Sequence, residues 1–140
     1  MSAEPPLPDS PAGCIRIGRI YRPAQASDGR RILVDRLWPR GMTKARAGLF
    51  AWCREIAPST ELRHWFHSSS GQWEAFVSRY EAELAAHEDL VRELAGYARE
   101  GVVTLLHASR DETRNNAIVL RDYLRHRLQR EEAAHDQPGA

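Results

Sequence analysis

Cysteine is scarce in this sequence: Cys14 and Cys53 are the only two, too few and too far apart for a disulfide framework. Long apolar runs are missing as well, the longest being a few residues against the ~20 needed to span a bilayer. No basic-then-apolar leader opens the chain, where residues 1–13 read MSAEPPLPDSPAG, acidic and proline-rich. These absences predict a soluble, cytoplasmic protein that does not engage membranes. Glycine-rich phosphate loops of the P-loop or dinucleotide type are absent. So are H-E-x-x-H and paired C-x-x-C patterns: His64 and His67 stand three apart and His107 ends an apolar run, which makes no metal-ligand set. No metal and no cofactor is evident. Lysine is nearly absent too, Lys44 being the single one among 20 basic residues.

What is present fits one globular domain. The chain has 140 residues, and roughly 100–200 residues make a domain able to bury a core without staples. Net charge is only +1, yet it is unevenly spread. Within 16–46, Arg16, Arg19, Arg22, Arg30, Arg31, Arg36, Arg40, Lys44 and Arg46 oppose only Asp28 and Asp35. Such a segment can attract an anionic ligand or a polyanion, or form a solvated face paired with acidic helices.

The order of elements is readable. Residues 1–13 should be a flexible lead, 14–128 a single α/β domain, and 129–140 a fraying tail. CIRIGRIY (14–21) and RILVDRL (31–37) carry strand signals, separated by a break at Pro23 and Ser27-Asp28-Gly29. Pro39-Arg40-Gly41 stops the second. A helical stretch is expected over Ala47 to Ile56, with Cys53 on its apolar face, reading as core more than as a nucleophile. Ser59 is a candidate N-cap for a short helix through Phe66, and Ser69 with Gln72 fits a capping box. Trp73, Phe76, Val77, Tyr80 and Leu84 fall on one helical face. A further helix covers about Glu88 to Arg99, VVTLLHA (102–108) is the clearest buried strand, and a last helix runs from about Asn116 to Arg130.

Strands separated by helices imply crossovers and a mainly parallel sheet. The expected fold is therefore a three-layer, Rossmann-like α/β fold with a small, mainly parallel central sheet flanked by helices. In such sheets ligands bind outside the carboxyl ends of the strands. The two best strands end in polar sequence, Asp35 to Gly41 and Ser109-Arg110-Asp111. If parallel, those ends share one rim, beside the start of the last helix, whose free N–H groups favour an anion.

RILVDRLWPRGM (31–42), WCREIAPSTELRHWF (52–66), Tyr80 with Glu83-Leu84, and VTLLHASRDETRNNAIVL (103–120) together resemble the YeaO-like branch of domain-of-unknown-function family 488. The resemblance spans roughly residues 15–128. It implies a small bacterial or archaeal protein with a three-layer α/β fold, and little about activity. The chain has His67-Ser68-Ser69-Ser70 where the family often shows a Gly-His-Asp-Pro-like turn, and Asn115-Asn116-Ala117 where it often shows Asn-His-Ala. More distant members carry a cysteine and histidine at that last place; with neither here, no thiol or metal role carries over.

The candidate site follows from the rim. Arg36 and Arg40 have the rigid fork that suits phosphate or carboxylate, Asp35 would orient them or serve as an acid–base group, and Trp38 would stack on a flat ligand. The alternative is an internal ion-pair network, Asp35 gripping one arginine while Trp38 packs on a helix. Ser59, Thr60 and Arg63 would add N–H groups and charge to the same anion pocket, or merely cap a helix. Asp111, with Asn115 and Asn116, would hold a ligand hydroxyl or water or act as general base, or else cap the last helix. The leading function is binding of a small phosphorylated or carboxylated ligand, a nucleotide among the options, with hydrolase- or transferase-type chemistry left open. A nucleic-acid module using the basic 16–46 segment and a non-catalytic partner-binding protein are the alternatives, and a homo-oligomer remains open.

Overall fold

The sheet is built from the apolar runs the sequence displays. The computed structural model describes residues 14–68 and 72–136. Strands β1 (Ile15–Arg19), β2 (Arg30–Leu33), β3 (Ala51–Trp52) and β4 (Val103–His107) form one sheet in the order β1-β4-β2-β3, every pairing parallel. Strand β4, buried along its whole length, lies between β1 and β2, with Ile15 opposite Val103 and Arg30 also opposite Val103. The α-helices are α1 (Lys44–Ala47), α2 (Thr60–His67), α3 (Trp73–Ala85), α4 (Glu88–Glu100) and α5 (Asn116–Asp136), with 3-10 turns at Ala26–Asp28 and Arg54–Ile56.

Alternation along the strands sorts the core into two clusters. Ile15, Ile32, Val34, Val103 and Leu105 face a large cluster closed by Phe76, Tyr80 and Leu84 of α3, Val91, Leu94 and Ala98 of α4, and Leu120, Leu124 and Leu128 of α5. Leu33 and Leu106 face the other way, into a smaller cluster with Ile20, Met42 and Ala47 of α1. The second layer is thin, and part of its filling is polar. Arg31, only 5% exposed, donates to Asp28 Oδ2 at 2.7 Å and to the Ala47 carbonyl at 3.0 Å, and Thr104 Oγ1 donates to the Asp28 carbonyl at 2.7 Å. The result is the three-layer α/β arrangement the strand–helix alternation predicts.

Gly29 makes the close approach at the start of β2. Its φ is 61°, and an added Cβ would sit 2.2 Å from the Val102 carbonyl oxygen, so no side chain fits without moving the backbone.

Three expectations need correction. The stretch 47–56 is not one helix: α1 stops at Ala47, where Gly48 takes φ 54° as a left-handed cap, and β3 follows before a single 3-10 turn at Arg54–Ile56. Cys53 therefore lies between β3 and that turn, half-buried against the large cluster, rather than on a helix face. The last helix does not fray at Arg130: it continues to Asp136, because Arg127 pairs with Glu88 and Glu131, and Arg99 also pairs with Glu131. Ser69, the lead at 1–13 and residues 137–140 lie outside the described residues, and Gln72 makes no side-chain capping bond at α3. Among the described residues no helix is long and apolar enough to cross a membrane.

Candidate functional site

Parallel pairing puts the carboxyl ends of β2 and β4 side by side, and beyond the backbone ladder a side-chain hydrogen bond joins them. The Ala108 N–H, just past β4, donates to Asp35 Oδ2 at 2.8 Å, just past β2. The other carboxylate oxygen, Oδ1, accepts from Asn116 Nδ2 at 3.2 Å, and the same amide reaches the Val34 carbonyl at 2.9 Å. Asp35 thus ties two strand ends to the first turn of α5. Burial pushes its carboxyl above the ordinary carboxylate value; the Ala108 and Asn116 hydrogen bonds and the Arg63 charge pull the other way.

Above this knot lies a cavity of about 490 Å³, within the range of small-molecule sites. Asp35, Arg36, Trp38, Arg40, Arg63 and Asn115 all line it; Asp111, Ser59 and Thr60 do not. The structure therefore brings together residues from the two predicted rim segments and from α2.

What each lining residue has free to offer differs. Arg36 is spent on backbone: Nε donates to the Pro58 carbonyl at 3.2 Å, Nη2 to the Ala57 carbonyl at 3.1 Å, and Glu55 stands 3.6 Å from Nη1. Trp38 donates Nε1 to the Met42 carbonyl at 2.7 Å and meets Trp52 edge-on, 5.3 Å between centroids. It packs on another tryptophan rather than on a helix, and Asp35 grips an amide rather than an arginine. Asn115, buried, caps α5 by accepting from the Ile118 N–H at 3.0 Å, and its amide donates to the Asp111 carbonyl.

Arg40 sits in a turn closed by the Met42 N–H on the Pro39 carbonyl at 3.3 Å, with Gly41 at φ 76°. Tyr21 Oη donates to the Arg40 carbonyl and holds that turn against the sheet. The Arg40 side chain, like those of Arg63, Arg110 and Arg114, has no hydrogen-bond or ion-pair partner among the described residues. Arg110 and Arg114 were visible only as charges in SRDETRN; whether they are free depended on where Asp111 and Glu112 turn. Asp111 Oδ1 accepts from the Thr113 N–H, the Arg114 N–H and Thr113 Oγ1, three bonds that hold its carboxyl below the usual range and curl it into its own loop. Glu112 pairs with Arg22.

Ser59 performs the cap its position predicts, accepting from the Leu62 N–H at 3.1 Å. Its own N–H and Oγ donate to Glu83, so a carboxylate already occupies the start of α2 where an anion would sit.

The basic segment is largely consumed internally. Arg16 and Arg19 bond to the Ser27 and Ser109 carbonyls, Arg22 pairs with Glu112, Arg30 with Glu100, and Arg31 with Asp28. Beside the cavity but outside its lining, His107 is 1% exposed; its Nδ1 has no partner and its Nε2 lies 3.4 Å from Asn115 Nδ2. Burial and the Arg19 charge push its imidazole down to about 4. Among the described residues no three His, Cys, Asp or Glu side chains gather as a metal site would need.

Comparisons with known proteins agree among themselves. A family profile described as the inactive DUF488-N3 subclade matches residues 14–139. The chain is similar to the uncharacterized protein YeaO of Escherichia coli strain K12, 49% identical over 111 residues that cover 79% of this chain and 96% of that one. It is also similar to the uncharacterized protein Rv3073c of Mycobacterium tuberculosis strain H37Rv, 39% identical over 110 residues, covering 79% and 92%. No solved structure gives a significant match.

Proposed function

The chain belongs to the DUF488 family, in its YeaO-like branch, and from that premise we propose that it is a non-catalytic binding protein for a small phosphorylated or carboxylated anion. The observation that carries this reading is the ring of partnerless guanidinium groups, Arg40, Arg63, Arg110 and Arg114, around a ligand-sized cavity whose one lining carboxylate, Asp35, is already hydrogen-bonded through both oxygens. Charge left uncompensated on a concave surface attracts and orients an anion, and arginine forks bind phosphate or carboxylate bidentately. The start of α5, with Asn115 and Asn116 in the lining, adds its positive end.

Chemistry is the weaker reading. Both Asp35 oxygens already accept a hydrogen bond that ties the fold together, and Asp111 faces its own loop, which argues against either as a general base. The subclade's description as inactive points the same way. The nucleic-acid alternative needs a broad positive surface, and the ion pairs of Arg22, Arg30 and Arg31 with Glu112, Glu100 and Asp28 narrow the one the basic segment could offer.

The test is isothermal titration with inorganic phosphate and with acetate, on the wild type and on Arg110→Ala/Arg114→Ala. Saturable binding of at least one anion that weakens tenfold or more in the double variant is the expected result. No binding of either anion by the folded wild type would sink the proposal.

A further inference from the structure

Charge is not all that lines the cavity. Aromatic rings line it too, and they come from both faces of the sheet. Phe66 and Phe76, stacked 4.3 Å apart at 29°, belong to the large cluster beneath α3, α4 and α5. Tyr21 and Trp38 belong to the small cluster on the opposite face. At the carboxyl edge of β2 and β4 the sheet ends, and residues of both clusters line the one cavity there, Phe76 almost fully covered and the others half-buried. Leu37 lines the same cavity and is 56% exposed, one of only two large apolar side chains that exposed among the described residues.

A site for a bare inorganic anion needs neither aromatic walls nor an apolar lip: arginines and helix N–H groups suffice, and apolar walls merely exclude the water that would otherwise solvate the ion. Apolar surface left open at a cavity is an unmet opportunity for burial, and flat rings gain most when another flat group slides between or against them. Ligand sites in general combine such predominantly apolar walls with a few placed polar groups that fix orientation.

Resting on the anion-binding reading above, we infer that the ligand is a flat, apolar-bodied anion, an aryl or similarly planar group bearing a phosphate or carboxylate. Its body lies between the Phe66–Phe76 wall and the Tyr21–Trp38 wall, and its charged group meets Arg40, Arg63, Arg110 and Arg114. Orientation follows from the placement: Leu37 and Phe66 contact the body, the arginines the head.

Matched probes separate the two halves. Titration calorimetry is run with phenyl phosphate against inorganic phosphate, and with benzoate against acetate, on the full chain. The expected result is a Kd for the aryl member at least tenfold below that of its inorganic or short-chain partner. Phe66→Leu and Leu37→Ser should each erase part of that gap, threefold or more, while leaving the phosphate or acetate Kd unchanged. Leu37 is exposed enough that its substitution cannot unfold the chain, so the test survives a destabilised Phe66 variant. Phosphate binding with no aryl advantage overturns this inference and leaves the anion site standing; binding of neither member of either pair overturns both.

Discussion

Two sets of arginines in one chain behave in opposite ways. Those on or beside the first two strands, Arg16, Arg19, Arg22, Arg30, Arg31 and Arg36, each end on a carbonyl or a carboxylate. Those around the cavity, Arg40, Arg63, Arg110 and Arg114, end on nothing among the described residues. The first set is scaffold: each guanidinium is hydrogen-bonded within the fold, and removal of its buried members should be felt in stability. The second makes no hydrogen bond or ion pair within the fold, although the Arg63 charge still acts on Asp35, and its removal should be felt mainly when an anion is offered. Sequence charge alone cannot tell the sets apart, since both are arginines in polar surroundings.

The contrast can be broken at its strongest point first. Arg31→Ala removes a buried guanidinium and leaves Asp28, whose side chain is itself mostly covered, with only the Gln25 N–H as its side-chain partner. Breaking such a pair should cost about 3 kcal/mol in urea unfolding. A loss under about 1 kcal/mol would put Arg31 with the second set.

Next comes the buried histidine under the same edge. In the folded chain His107 titrates near 4 against an ordinary 6.5, so between those values the unfolded chain binds the extra proton. The stability this group contributes is whole above about pH 6.5 and falls away as pH drops toward 4, by at most about 3 kcal/mol. His107→Leu should flatten that limb of the stability curve between pH 4.5 and 7; an unchanged slope would assign the pH dependence elsewhere.

Asp35→Ala strips the acceptor from the Ala108 N–H and frees the Asn116 amide, and should cost about 2 kcal/mol, read from the same unfolding experiment. Smallest of all is the rim. Arg110→Ala/Arg114→Ala should shift stability by no more than about 0.5 kcal/mol, while the rise in Tm that phosphate gives the wild type disappears. A large loss of stability in that double variant would erase the distinction between the two sets.

Much of the architecture was legible because it rests on pattern. The apolar runs at 31–37 and 102–108 became the two central strands, and Trp73, Phe76, Tyr80 and Leu84 became one buried or half-buried face of α3. The Ser59 cap was readable from residue type and position, but Glu83, which closes it, is 24 residues away. The stretch 47–56 misled because a two-residue strand has no periodicity to show, and the stop at Gly48 is a matter of one backbone angle. The end of α5 was placed too early because Glu88 and Arg99, which hold it, belong to another helix.

At the site, strand-end placement identified Asp35, Arg36, Trp38 and Arg40 as neighbours of a cavity, and Arg63 with them. What stayed hidden was which of these groups are already engaged. Asp35 is held by a backbone N–H 73 residues downstream, and Arg36 by carbonyls near Pro58. Contacts to main chain leave no signature in side-chain type, so engaged and idle arginines read alike. The aromatic walls were hidden for the same reason: Phe66 and Tyr21 meet across a cleft only once opposite faces of the sheet have been covered.

The strand order carries a consequence for how the protein is made. Strand β1 leaves the ribosome early, yet its sole partner in the sheet is β4, which emerges some 90 residues later, and β2 also waits for that strand on one of its sides. A nascent or truncated chain ending before Val103 holds β1 without a mate, and its apolar residues uncovered. Contacts so distant along the chain slow folding, so this sheet is complete only once β4 has emerged, and the cleft at its edge forms only when the first turn of α5 has followed it.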